Sequence, residues 1–120
     1  MIGPPLEPLN GPTPHPIEVG VQAASEMRGQ GVPVVDVREP AELDQARLPD
    51  TLDVPMSVLA ARLAVLEPLK DAPFLVLCHG GVRSLQVVQA LRSRGWPHAI
   101  SIAGGIDAWS QVVDPSVPRY

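Results

Sequence analysis

Cysteine occurs once in this 120-residue chain, at Cys78, so no intramolecular disulfide can form and a free thiol is the chemical resource that remains. No Cys or His pair has the spacing of zinc ligands. A reducing compartment, most simply the cytoplasm, is therefore expected. Aromatic residues are only 3% of the chain, while apolar residues make up 45%. The core must then be built from Val, Leu, Ile and Ala, a composition that suits a buried parallel sheet flanked by helices. Basic charge is scarce too. Nine Lys and Arg against 13 Asp and Glu leave a net charge of −4 with no basic run, which argues against nucleic acid and against a membrane surface as partners. No apolar stretch approaches the roughly 20 residues of a membrane span, and residues 1–16 lack both the basic start and the apolar run of a signal peptide.

What is present divides the chain in two. Six prolines (Pro4, Pro5, Pro8, Pro12, Pro14 and Pro16), with Gly3 and Gly11, predict an extended or disordered tail over residues 1–16. Residues 17–120 then alternate short apolar runs with helix-like periodicity, the pattern of one α/β domain. Strands are expected at 17–19, 33–37, 52–54, 74–77 and 99–102, making a five-stranded, mostly parallel central sheet in a three-layer arrangement. Helices are expected at 21–28, with Val21, Ala24 and Met27 inward, at 40–45 as a single turn, from Ser57 as N-cap through Leu59, Leu63 and Leu66, at 84–94 closed by Gly95, and at 106–112. His15 and His98 are read as surface residues, and Trp109 as core.

The chemistry concentrates in Cys78-His79-Gly80-Gly81-Val82-Arg83-Ser84. A strand ends at the cysteine, two glycines let backbone N–H groups converge, and Ser84 is expected to cap the following helix, so that its dipole points at the sulfur. Arg83 adds a permanent positive charge. Such surroundings favour thiolate over thiol, and Cys78 is expected to be a nucleophile near neutral pH. Ligands of open α/β sheets sit outside the carboxyl ends of the strands. Asp36 and Arg38, after the second strand, and Gly104-Gly105, after the fifth, are thus expected to converge on the Cys78 loop. His79 adjoins the nucleophile, but successive loop side chains diverge and an activated thiol needs no base. Gly104-Gly105 lacks the spacing of a dinucleotide fingerprint.

These residues together resemble a rhodanese domain, the fold of the sulfurtransferases. The pieces are 34–40 (Val-Val-Asp-Val-Arg-Glu-Pro), the loop 78–84, 103–109 (Ala-Gly-Gly-Ile-Asp-Ala-Trp) and the ending 113–120. The resemblance implies a rhodanese-like fold and covalent catalysis with no bound cofactor and no metal. Cys78 would take a sulfur from a small anionic donor such as thiosulfate as a persulfide and pass it to cyanide or to a thiol, a protein thiol included. N–H groups of His79, Gly80, Gly81, Val82 and Ser84 would hold the outer sulfur, Arg83 would bind the donor anion, and Asp36, Arg38, Gly104 and Gly105 would support the site. Phosphatases and arsenate reductases of related fold place one residue more between Cys and Arg than the four here, so sulfur transfer leads over phosphoryl or arsenate chemistry. A third reading is a persulfide relay or regulatory module with little turnover. One departure concerns the Gly-His-Ile-Pro-Gly-Ala of many members, where this chain has Ala46-Arg47-Leu48-Pro49-Asp50-Thr51. Arg47 is accordingly a candidate substrate contact.

Overall fold

The computed structural model describes residues 15–120. The tail expected over residues 1–16 therefore lies outside the described residues except for His15 and Pro16, whose carbonyls accept hydrogen bonds from Arg92 Nη2.

Among the described residues, five strands form the sheet: β1 (Glu18–Val19), β2 (Val34–Asp36), β3 (Leu52–Asp53), β4 (Phe74–Leu77) and β5 (Ala99–Ile102), in the spatial order β1-β5-β4-β2-β3. All four pairings are parallel, so the sheet is wholly rather than mostly parallel. Central strands β2, β4 and β5 are buried at every position, which is why their sequences read as apolar runs, interrupted at Asp36 and Ser101, and not as alternations. Helices α1 (Val21–Gly29) and α4 (Gly105–Val112) pack on one face against Leu75, Leu77, Ile100 and Ile102. On the other face, α3 (Val82–Arg92) covers Val76, Cys78 and Ala99 through Val87, Val88 and Leu91. The short helix α2 (Pro40–Leu43) follows β2 and is closed by a capping box between Glu39 and Glu42.

Two expectations are corrected. The segment Met56–Leu69 is a 3-10 segment interrupted at Arg62, not a helix capped by Ser57. Ser57 gives its hydroxyl and its N–H to the Glu39 carboxylate, at 2.7 and 3.1 Å, so its side chain is not free to cap its own segment. Its inward face is the expected one, with Leu66 buried and Leu59 and Leu63 against the core. His98 is half-buried rather than a surface residue, its ring edge-on to His15 with centroids 5.6 Å apart.

Strand order also fixes where chemistry can happen. From β2 the chain moves outward to β3, whereas from β4 it moves the opposite way to β5, so the connections leaving the adjacent β2 and β4 diverge. A crevice opens at this switch point, and Asp36 and Cys78 stand at its two sides.

Candidate active site

Cys78 leaves β4 with 1% of its surface exposed, and the chain turns immediately into α3. Gly81 makes that turn at φ +101°, and a Cβ there would stand 2.8 Å from the backbone nitrogen of Gly104. Only glycine meets both conditions. Because this turn comes early, α3 begins at Val82 with Gly81 as its N-cap, and Ser84 lies in the first turn rather than at the cap position expected for it.

The shift improves the cradle. Gly81 and Ser84 donate their N–H groups to Cys78 Sγ at 3.1 and 3.3 Å, and the Ser84 hydroxyl stands 3.3 Å from the same sulfur. Behind it, Ser84 Oγ lies 2.7 Å from Ser101 Oγ on β5 and 3.2 Å from the Gly81 carbonyl. Val82 and Arg83, as the first residues of α3, have N–H groups without a carbonyl partner inside the helix. The positive end of the helix dipole thus faces the loop with donors to spare.

Gly104-Gly105 closes the loop from beneath. At the start of α4, Ile106 donates to the Cys78 carbonyl at 2.9 Å and Asp107 to the His79 carbonyl at 3.1 Å. The approach is so close that a Cβ on Gly105 would lie 2.3 Å from the His79 oxygen. The β4 and β5 loops are therefore bonded to each other, as the strand-end argument anticipates.

Arg83 is gripped by Glu42 of α2, its two terminal nitrogens donating to the two carboxylate oxygens at 2.6 and 2.8 Å. Glu42 also accepts from the Tyr120 hydroxyl at 2.9 Å, and that hydroxyl accepts from Arg38 Nη1 at 3.0 Å. Arg38, fully buried, forks onto Asp36 with Nη2 2.8 Å from the carboxylate. A continuous chain Asp36, Arg38, Tyr120, Glu42, Arg83 thus runs from β2 to α3, the helix that follows Cys78. The Arg83 fork holds the Glu42 carboxyl down at about 2, against the opposing effect of burial. Glu42 in return raises Arg83, and a smaller contribution comes from the negative charge Cys78 can carry. Burial is the largest influence on Arg38 and acts downward, but the bonds to Asp36 and Tyr120 outweigh it, so the guanidinium stays charged.

Of the remaining candidates, His79 stacks face to face on Tyr120, with centroids 4.1 Å apart and planes 14° from parallel. Gly80 is exposed at the loop tip, and Val82 projects beside it, 70% exposed. Asp36 and Arg38 pair with each other, and Arg38 reaches the Glu42 carbonyl and the Tyr120 hydroxyl. Arg47 is half-exposed and paired with Asp53 on β3, its bond directed there and not to the Cys78 loop. Sequence reasoning missed Glu42, Tyr120 and Ser101. Only Ser101 carries a local signal, as the one polar residue in a run of buried apolar neighbours.

A family model for the rhodanese-like domain matches residues 21–112, which include the Cys78 loop, its bracing helix α2 and the Gly104-Gly105 turn. The chain belongs to the rhodanese-like domain family. Among curated proteins, this rhodanese-like chain is 34% identical over 82 residues to a sulfurtransferase of Allochromatium vinosum, covering 68% of the chain and 75% of the relative. It is 41% identical over 91 residues to Rhodanese-like/PpiC domain-containing protein 12, chloroplastic, of Arabidopsis thaliana, covering 72% of the chain but only 30% of that longer protein. Among solved structures, a rhodanese-related protein from Thermoplasma volcanium superposes with a TM-score of 0.73 at 28% identity, covering 86% of this chain and 98% of the other. The human single-domain sulfurtransferase TSTD1 gives 0.72 at 25% identity, covering 82% and 98%. No helix among the described residues is long and apolar enough to cross a membrane.

Proposed function

We propose that this rhodanese-like domain is a sulfurtransferase that carries sulfane sulfur on Cys78, taking it from a small anionic donor such as thiosulfate and giving it to cyanide or a thiol. The observation that supports this most directly is the pair of backbone N–H groups on Cys78 Sγ, with two further donors at the start of α3 left without a helical partner. Donors so placed stabilise negative charge that develops at the sulfur during transfer.

In the loading step, the Cys78 thiolate attacks the outer sulfur of thiosulfate. A new S–S bond forms, the old one breaks, and sulfite leaves with its electron pair. The resulting persulfide bears its charge on the outer sulfur, near the N–H groups of Val82 and Arg83. Cyanide then attacks that sulfur, thiocyanate leaves, and the Cys78 thiolate returns. Arg83 contributes a positive charge oriented by Glu42 and not free to swing. The loop with four residues between Cys78 and Arg83 supports single-sulfur cargo over a tetrahedral phosphate or arsenate. A carrier working through one free thiol calls for a reducing compartment such as the cytoplasm.

Incubation with thiosulfate should add the mass of one sulfur atom to the peptide bearing Cys78, and cyanide should remove it as thiocyanate. Full turnover by Cys78→Ser would overturn the proposal. A relay reading draws on Val82, an apolar side chain 70% exposed beside the nucleophile, where a protein acceptor would rest. A persulfide that forms readily, yields thiocyanate very slowly and labels one protein in a cell extract would favour the relay.

A further inference from the structure

Ser101 stands out on the α3 face of the sheet. It pairs in register with Val76 on β4, and its neighbours on that face are Val76, Ala99 and the apolar side of α3. Ser101 is wholly buried, and its hydroxyl has one partner among the described residues, Ser84 Oγ at 2.7 Å. Ser84 Oγ in turn stands 3.3 Å from Cys78 Sγ. Three side chains, from the end of β4, from α3 and from β5, thus form one buried line of polar atoms ending on the nucleophile.

The proton count on this line has two solutions. With Cys78 as a thiol, its S–H points to Ser84 Oγ, and the Ser84 proton goes to the Gly81 carbonyl. With Cys78 as a thiolate, the Ser84 proton must turn onto the sulfur, and Ser84 Oγ then needs a donor of its own. Ser101, whose hydroxyl already donates to Ser84 Oγ in the thiol state, is left as that donor. The Gly81 carbonyl released by this rotation still accepts the N–H of Leu85, so no buried group is orphaned. Hydrogen bonds arranged head to tail reinforce one another in a low-dielectric interior.

We propose that Ser101 is a positioning residue for sulfur transfer. Its hydroxyl orients the Ser84 proton onto Cys78 whenever the sulfur is negative, both before loading and when the persulfide gives up its outer atom. This rests on the sulfurtransferase reading for its use, but its effect on the thiolate does not. The charged and titratable groups around the thiol are Arg83 with its partner Glu42, the adjacent His79 with Tyr120 stacked on it, Asp107 at the start of α4, and the Asp36–Arg38 pair across the crevice. All are retained when Ser101 is changed.

The test compares wild type, Ser101→Ala, Ser101→Thr, Ser84→Ala and the Ser84→Ala/Ser101→Ala double variant, using two readouts. The first is the iodoacetamide alkylation rate of Cys78 across pH 5 to 10. The second is the rate of thiocyanate release from preloaded persulfide. Ser101→Ala should slow both near neutral pH by about fivefold, the ratio that one ordinary net hydrogen bond supplies, and should move the alkylation profile toward higher pH. Ser101→Thr should restore both. In the Ser84→Ala background, Ser101→Ala should have almost no further effect, because its action passes through Ser84. If Ser101→Ala is unstable, Ser101→Val and Ser101→Thr, which share one shape, replace it as the decisive pair. A wild-type alkylation profile in the alanine variant, additive effects of the two serines, or a threonine variant as slow as the alanine one would each overturn the proposal. Absence of sulfur loading in the wild type together with the expected alkylation shift would instead refute the sulfurtransferase reading and leave the role of Ser101 standing.

Discussion

Replacing Glu42 by Gln removes one charge from the centre of the network that steadies the Cys78 loop, and its effect can be worked out from the structure. The Glu42 carboxyl falls from its ordinary 4.5 to about 2, chiefly through the two hydrogen bonds from Arg83. At about 1.4 kcal/mol per pH unit, the upper bound on this linkage is roughly 3.5 kcal/mol. Solvent reaches 19% of the Glu42 side chain and 32% of the Arg83 side chain, and screening brings the figure to about 1–2 kcal/mol. A depressed carboxyl stabilises the fold at pH values above its unfolded-state value and ceases to do so as pH falls through its folded one. Urea denaturation at pH 7 should therefore show Glu42→Gln less stable by about 1–2 kcal/mol, and the gap should close between pH 4.5 and about 2. A gap that stays constant over that range, or is absent at pH 7, would refute the assignment of Glu42 as the linked carboxylate.

Gly105→Ala should cost about 3 kcal/mol or more in the same denaturation assay, since the new methyl meets the His79 carbonyl at φ +61° and two loop-closing bonds must lengthen; a loss below about 1 kcal/mol would contradict the close packing of α4. Tyr120→Phe retains the stack on His79 but loses the hydroxyl between Arg38 and Glu42, for an expected cost of about 1 kcal/mol; thiosulfate loading should fall only a few-fold, and an unchanged urea midpoint would show that the hydroxyl is not a working link.

Much of this arrangement is legible in the sequence because it is local. Buried strands announce themselves as short apolar runs, and Ala99–Ile102 is found at its observed limits. Gly95 takes φ +108°, and the Trp96 N–H returns to the Leu91 carbonyl, as a glycine just past a helix leads one to expect. Convergence of the Cys78 and Gly104-Gly105 loops follows from strand direction alone. Ser84 and Ser57 illustrate the opposite case. Each is a good cap by residue type, yet Gly81 turns the chain earlier in one case and Glu39 captures the side chain in the other. The bonds from Arg83 to Glu42 and from Arg38 to Tyr120 could not be read at all, since a polar contact joining residues far apart leaves no mark on periodicity or composition.

Those distant partners also bear on how the domain comes into being. The cradle itself spans seven consecutive residues and can form as soon as β4 meets α3, but its braces close over long stretches of chain. Arg83 reaches 41 residues back to Glu42, and Tyr120 joins Glu42 across 78 residues and Arg38 across 82. Contacts of such separation carry large loop-closure entropy and are characteristic of the slow part of folding. A chain still emerging in synthesis therefore holds a cysteine whose surroundings are unfinished until residues beyond 105 dock, and the braced cradle is complete only with the finished fold.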